Sequence, residues 1–148
     1  MISCDTNILF PAFDRDSIHH ARARTWLDDQ ASSQSFCLCE QVLMELYCLL
    51  RNPTVTDKPL GARDAVVLIM RLRSNPCWRI VDVVPGAGII ERVWKQAASK
   101  GFAYGRIFDS RLAATLKHHG VTEFATRSLS HFKRSGFERV WNPLADKS

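Results

Sequence analysis

No stretch of this 148-residue chain approaches the ~18 consecutive apolar residues that cross a bilayer. Nor does a basic segment with an apolar core open it: an acid already stands at position 5, so nothing reads as a secretory leader. Cysteine is sparse and odd in number, five in all (Cys4, Cys37, Cys39, Cys48 and Cys77), each in or beside an apolar run. That excludes a disulfide framework and predicts free thiols in the reducing cytoplasm. Seven glycines and six prolines are too few for collagen-like repeats or a low-complexity chain. They build no phosphate loop either, because Gly86-x-Gly88 lacks the third glycine and the lysine.

What is present is an ordinary globular composition, 46% hydrophobic and 24% charged. At this length a single domain, 1–148, buries a substantial core without staples. The formal net charge of +5 admits an anionic partner, nucleic acid above all, without requiring one.

Short apolar runs alternate with helical patterns. Met1 to Cys4, Phe36 to Leu38, Arg79 to Val84 and Glu123 to Thr126 read as strands, and Phe137 to Trp141 reads as a weak edge strand. A short helical turn is expected from Ile8 to Phe13 around Pro11, and a helix capped by Ser17 ends near Gln30. Further helices are expected over Glu40–Arg51, Ala62–Arg73, Gly88–Lys100 and Ile107–His119, the last closed by Gly120. Val66, Val67, Ile69, Met70 and Leu72 make the Ala62–Arg73 helix strongly apolar. The alternation predicts an α/β fold with a parallel sheet covered on both faces.

Three carboxylates stand among apolar neighbours. Asp5 ends the first strand, and ligands of open parallel sheets gather at strand carboxyl ends. Glu45 lies in a helix that is hydrophobic nearly all round, which places it in a buried setting. Asp109 heads the core-facing stripe Asp109, Leu112, Ala113, Leu116. Each alone has an ordinary explanation as a helix cap or an ion-pair partner. Together, uncompensated, they would repel one another at a cost of several kcal/mol each. A hard divalent cation, Mg²⁺ or Mn²⁺, removes both penalties, and an acidic pocket in a basic protein suits metal-dependent phosphodiester hydrolysis. Arg106, Arg111, Arg127, Lys133 and Arg134 crowd the segments around Asp109 and the fourth strand. They are either scattered surface cations or a rim that guides phosphate.

Competing constellations are weaker. Cys37-x-Cys39 has no second pair or histidine at zinc spacing. Adjacent His19-His20 and His118-His119 do not share a helix face, and Ser128, Ser130 and His131 lack an acid to complete a triad. A phosphoaspartate reading of Asp5 lacks the strand-end lysine and leaves Glu45 unexplained.

The runs Ile2-Ser3-Cys4-Asp5-Thr6-Asn7-Ile8-Leu9, Gln41-Val42-Leu43-Met44-Glu45-Leu46-Tyr47 and Phe108-Asp109-Ser110-Arg111-Leu112-Ala113-Ala114 occur in that order. With Phe124-Ala125-Thr126-Arg127-Ser128 through His131-Phe132 and Gly136-Phe137, the chain resembles a PIN-domain ribonuclease of the VapC toxin type. The resemblance implies a three-layer α/β/α sandwich around a mostly parallel sheet of four to five short strands. It implies a Mg²⁺- or Mn²⁺-dependent endoribonuclease acting on cellular RNA, and a homodimer held inactive by a VapB-type antitoxin that binds across the active site. Asp5, Glu45 and Asp109 match the catalytic and metal-binding acids, with Thr6 and Ser128 beside them. The chain departs from the family pattern at Ser128, where Asp or Asn is common, and at His131, where an acid is common. A domain that binds RNA or the antitoxin with weakened catalysis is the alternative those two positions leave open.

Overall fold

The computed structural model describes residues 1–146; residues 147 and 148, the end of the expected 1–148 domain, lie outside the described residues. Five three-residue strands alternate with helices: β1 (Ile2–Cys4), α1 (Thr6–Phe13), α2 (His20–Gln30), β2 (Cys37–Cys39), α3 (Glu40–Arg51), α4 (Ala62–Arg73) and β3 (Arg79–Val81). Then follow α5 (Ile89–Ala97), a 3₁₀ turn (Tyr104–Arg106), α6 (Ile107–His118), β4 (Glu123–Ala125), α7 (Leu129–Phe132) and β5 (Arg139–Trp141). No helix among the described residues is long and apolar enough to cross a membrane.

Every strand pairing is parallel. β1, β4 and β5 form one ladder and β2 and β3 another. A single parallel bridge, Ile2 to Phe36, joins them, with the Ile2 N–H donating to the Ser35 carbonyl at 2.7 Å. The spatial order is therefore β3-β2-β1-β4-β5. The chain leaves β1 towards β2 and β3, then crosses to β4 on the other side, so a topological switch point lies between β1 and β4. Helices flank the sheet as the three-layer alternation predicts: α1 packs on α2 and α3, α3 on α4, and α5 on α6.

Several boundaries differ from the sequence expectation, each for a local reason. The first helix starts at Thr6 rather than Ile8, because Asp5 is its extended N-cap and accepts from the Thr6 N–H. Pro11 sits inside it, lacking the N–H of an interior residue, and its carbonyl accepts from the Asp14 N–H and the His20 ring. Ser17 does not cap α2. Its hydroxyl accepts from the His19 N–H and its carbonyl from the His20 N–H, a turn that delays the helix to His20. The second strand is Cys37–Cys39, one residue later than expected, with Phe36 reaching β1 only through the bridge. The third stops at Val81 because its sole partner, β2, turns into α3 after Cys39. The remaining strands and α5 are trimmed at their ends, to Glu123–Ala125, Arg139–Trp141 and Ile89–Ala97.

Gly120 closes α6 as expected. At φ +84° it lets the Val121 N–H reach the Leu116 carbonyl and its own N–H the Lys117 carbonyl, the paired bonds of a Schellman stop. The core gathers around β1, β2 and β4, with Cys4, Phe36, Leu38, Leu46, Leu116 and Phe124 fully enclosed. The strongly apolar α4 is only partly absorbed by that core. Ala65 and Leu72 are buried and Leu68 and Ile69 pack against the core, but Val66 and Met70 remain 48% and 46% exposed.

Phe124 on β4, the middle strand of its ladder, sits between Phe132 and Phe137, with ring centroids 4.7 and 5.2 Å away. Phe124→Ala should cost about 3–5 kcal/mol in urea denaturation, and a loss under about 1 kcal/mol would show that this aromatic cluster does not anchor the sheet.

Candidate active site

The carboxyl ends of β1 and β4 lie side by side, with Cys4 opposite Ala125 and the Asp5 N–H donating to the Ala125 carbonyl at 2.9 Å. The residue that leaves each strand is polar, so Asp5 and Thr126 meet at the switch point. The buried Thr126 hydroxyl donates to Asp5 Oδ2 at 2.8 Å, and the Thr6 N–H donates to Oδ1 at 2.8 Å. As the N-cap of α1, Asp5 also faces the positive end of that helix.

Glu45 comes from α3. The Thr6 hydroxyl donates to its Oε2 at 3.0 Å, and the Gln41 amide donates to its Oε1 at 3.3 Å. Gln41, only 8% exposed, also donates to the Phe108 carbonyl at 2.9 Å and accepts from Arg111 at 2.8 Å. Glu45 itself is half-buried rather than enclosed: α3 is not covered all round, and Met44 and Cys48 beside it face solvent. Asp109, in the first turn of α6, is half-buried too, above Leu112, Ala113 and Leu116, which are enclosed. Its Oδ2 lies 2.9 Å from His131 Nδ1.

Electrostatics tie the three acids together. Burial is the largest cause that pushes the Asp5 carboxyl up, to about 6; the bonds from Thr126 and Thr6 pull it down, and the charges of Glu45 and Asp109 push it up again. Among the described residues no Lys or Arg forms an ion pair with any of the three. No three His, Cys, Asp or Glu side chains of the described residues already converge into a closed metal cage. An uncompensated, all-oxygen and partly open donor set suits a hard divalent ion, which keeps several waters, better than a tightly caged one. The residues present fit such an ion.

The other sequence-predicted residues divide. Thr6 touches Glu45 directly. Ser128 reaches Asp5 at one remove, accepting from Asn7 at 3.2 Å and donating its N–H to Thr126 at 3.0 Å. Arg106, Arg127, Lys133 and Arg134 are in no ion pair among the described residues, whereas Arg111 is committed to Gln41 and, at 3.6 Å, to Asp82. Arg111 is thus part of the scaffold behind Glu45. Gln41, Thr126 and Asn7 escaped the sequence reading as site residues. Asn7 also accepts from the Arg127 N–H at 3.0 Å, clasping the turn after β4. The one signal for it was its place in the polar run Asp5-Thr6-Asn7 at a strand end.

Residues 2–134 match the PIN domain family. The chain belongs to that family. It is 45% identical over 144 residues to Ribonuclease VapC24 of Mycobacterium tuberculosis, with 97% of each chain covered. Its fold is similar to the crystal structure of VapC20 from the same organism, described as a Sarcin-Ricin loop cleaving toxin. The TM-score is 0.67 at 17% identity, over 93% of this chain and 96% of that one. A toxin–antitoxin complex from Klebsiella pneumoniae gives a TM-score of 0.60 at 20% identity, over 97% and 98% of the two chains.

In this PIN domain the raised Asp5 sets a pH dependence of stability. Between pH about 4 and about 6 the folded chain holds a proton that the unfolded chain releases. Stability therefore falls as pH rises through that window, and the full cost is present above it. Asp5→Asn keeps a capping side chain and removes the charge. In EDTA at pH 7.5 or so it should gain about 1–3 kcal/mol over the wild type in thermal melts, with little gain near pH 4. A gain independent of pH would show that Asp5 carries no such strain.

Proposed function

We propose that this chain is a metal-dependent endoribonuclease and the toxin of a VapBC-type pair, a single nuclease domain spanning 1–148 and acting in the cytoplasm. The observation that carries this is the set Asp5, Glu45 and Asp109: the charges of the other two act on Asp5, each acid has an oxygen held by a hydrogen bond, and no Lys or Arg among the described residues pairs with any of them. The name and 45% identity of its mycobacterial relative support the ribonuclease reading. Asp5 and Asp109 would hold the ion, Mg²⁺ or Mn²⁺, and Glu45 would hold it with them or orient the attacking water. When bound, such an ion supplies Lewis acidity at the scissile phosphate and favours water as the nucleophile.

The chain's own residues supply the orientation. Thr6 and Gln41 fix one oxygen of Glu45 each. Thr126 and the Thr6 N–H fix those of Asp5, and His131 holds one oxygen of Asp109. In-line attack of water on the phosphodiester leaves a 5′-phosphate and a 3′-hydroxyl, with no part for the ribose 2′-hydroxyl. Arg106, Arg127, Lys133 and Arg134 are available to meet RNA phosphates. A homodimer and an inhibiting antitoxin complete the assembly. The apolar groove between α3 and α4, about 320 Å³ and lined by Leu43, Met44, Tyr47 and Val66, supports a protein partner.

Mn²⁺ at about a hundred times its dissociation constant should stabilise the wild type by about 2.7 kcal/mol, and Asp109→Asn should lose most of that shift. Single-stranded RNA should be cut by the wild type in Mn²⁺, leaving 5′-phosphate ends, and should survive in EDTA or with Asp5→Asn. Binding without cleavage would favour the weakened, RNA-binding alternative, and an equal thermal shift in the variant would move the ion elsewhere.

Gln41→Ala tests the support of Glu45. It should reduce metal affinity or turnover about 10–100-fold with KM for RNA nearly unchanged. Retention of both, measured by Mn²⁺ calorimetry and single-turnover cleavage, would mean that Glu45 needs no such orientation.

A further inference from the structure

Beside the acidic site, a groove of about 430 Å³ runs along α6 between α5 and the turn that follows α7. Four cationic or protonatable side chains line it: Arg92 from α5, Lys117 and His118 from α6, and Arg134. Its floor is low because α6 presents Ala113 and Ala114 there. Only Arg134 of the four belongs to the basic cluster legible around Asp109 and the fourth strand.

Three features mark the groove as a place for an external polyanion. No carboxylate lines it, and among the described residues none of the four side chains is in an ion pair. Lys117 is exposed, with its ammonium beside Gly136, so its charge is open to a ligand. Finally, one end of the groove reaches the first turn of α6, the turn that carries Asp109, where Ser110 lines it and bonds to Gln96.

We infer that this groove is a track for the sugar-phosphate backbone of the RNA strand, leading away from the scissile phosphate held at Asp5, Glu45 and Asp109. The inference rests on the ribonuclease reading and deepens it. From Ser110 to Lys117 is about two helical turns, ~11 Å, a length that neighbouring phosphates of one extended strand can follow. No Phe, Tyr or Trp lines the groove, so it offers bases no stacking platform. It grips phosphate without reading sequence. An acidic peptide would meet the same cations, but it has no reason to begin at a site built for a phosphodiester.

The test is the salt dependence of binding to a labelled single-stranded RNA of about 20 nucleotides, long enough to fill the track several times over, in EDTA so that nothing is cut. The variant Arg92→Gln/Lys117→Gln is compared with Arg15→Gln/Lys58→Gln, which removes the same charge from exposed positions outside the groove. The groove pair should weaken binding about tenfold at low salt, and its log–log salt slope should become shallower by about 1.4, or ~0.7 for each phosphate no longer neutralised. The control pair should change both far less. Arg134→Gln, on the other wall, should lower the slope by ~0.7, and unchanged melting curves establish that each variant is folded. Equal effects from the two pairs would reduce the groove to net charge and overturn the inference. So would an unchanged slope in the groove pair while the wild type still cuts RNA in Mn²⁺, a result that leaves the ribonuclease reading standing. Loss of antitoxin binding with RNA binding intact would make the groove a protein-docking site and overturn it as well. If the wild type neither binds nor cuts RNA, the ribonuclease reading fails and takes the track with it.

Discussion

Three carboxylates share a site without a Lys or Arg to neutralise them, and the structure around them is arranged to tolerate that. Burial makes ionised Asp5 costly, and the charges of Glu45 and Asp109 add to the cost. The offset is local and specific. Each acid has an oxygen held by a hydrogen bond, from Thr126 and Thr6 to Asp5, from Thr6 and Gln41 to Glu45, and between His131 and Asp109. The rest of the cost falls on the core, where enclosed side chains such as Phe36, Leu46 and Phe124 supply the favourable burial. A site of this kind is less stable empty than occupied, which is the condition under which a bound cation and folding reinforce each other.

Strand order determines where this can happen. With β1 between β2 and β4, the first strand delivers Asp5 to the crevice where the direction of winding reverses. β4 delivers Thr126 to the same crevice. Helices then bring the remaining acids: α3 starts directly after β2 and carries Glu45 one turn in, and α6 begins at the same end and carries Asp109 in its first turn. The Gln41 bond to the Phe108 carbonyl ties these two helix starts together.

Charge is sorted by position. The acids lie in the crevice, Arg111 braces Gln41 beside them, and the α6 groove gathers Arg92, Lys117, His118 and Arg134 with no carboxylate in its lining. The apolar residues of α4 are sorted too, Leu72 into the core and Val66 and Met70 to the surface.

The sequence by itself determined the alternation of strands and helices and the Gly120 stop, and it singled out Asp5, Glu45 and Asp109 as acids among apolar neighbours. These are local properties: periodicity, a positive-φ glycine, and acids that contrast with apolar neighbours. The quoted motifs added the family. Tertiary structure alone decided the partners. Thr126 and Asp5 are 121 residues apart, Gln41 and Phe108 67, and His131 and Asp109 22; nothing in the local pattern around any of them names the other. The same limit explains why Arg111 reads from sequence as a surface or rim cation, why Glu45 reads as buried, and why β2 and β3 differ from expectation at their ends. A side chain's direction, a helix's cover and a strand's last residue all depend on what packs beside them, and that is settled only when distant segments meet.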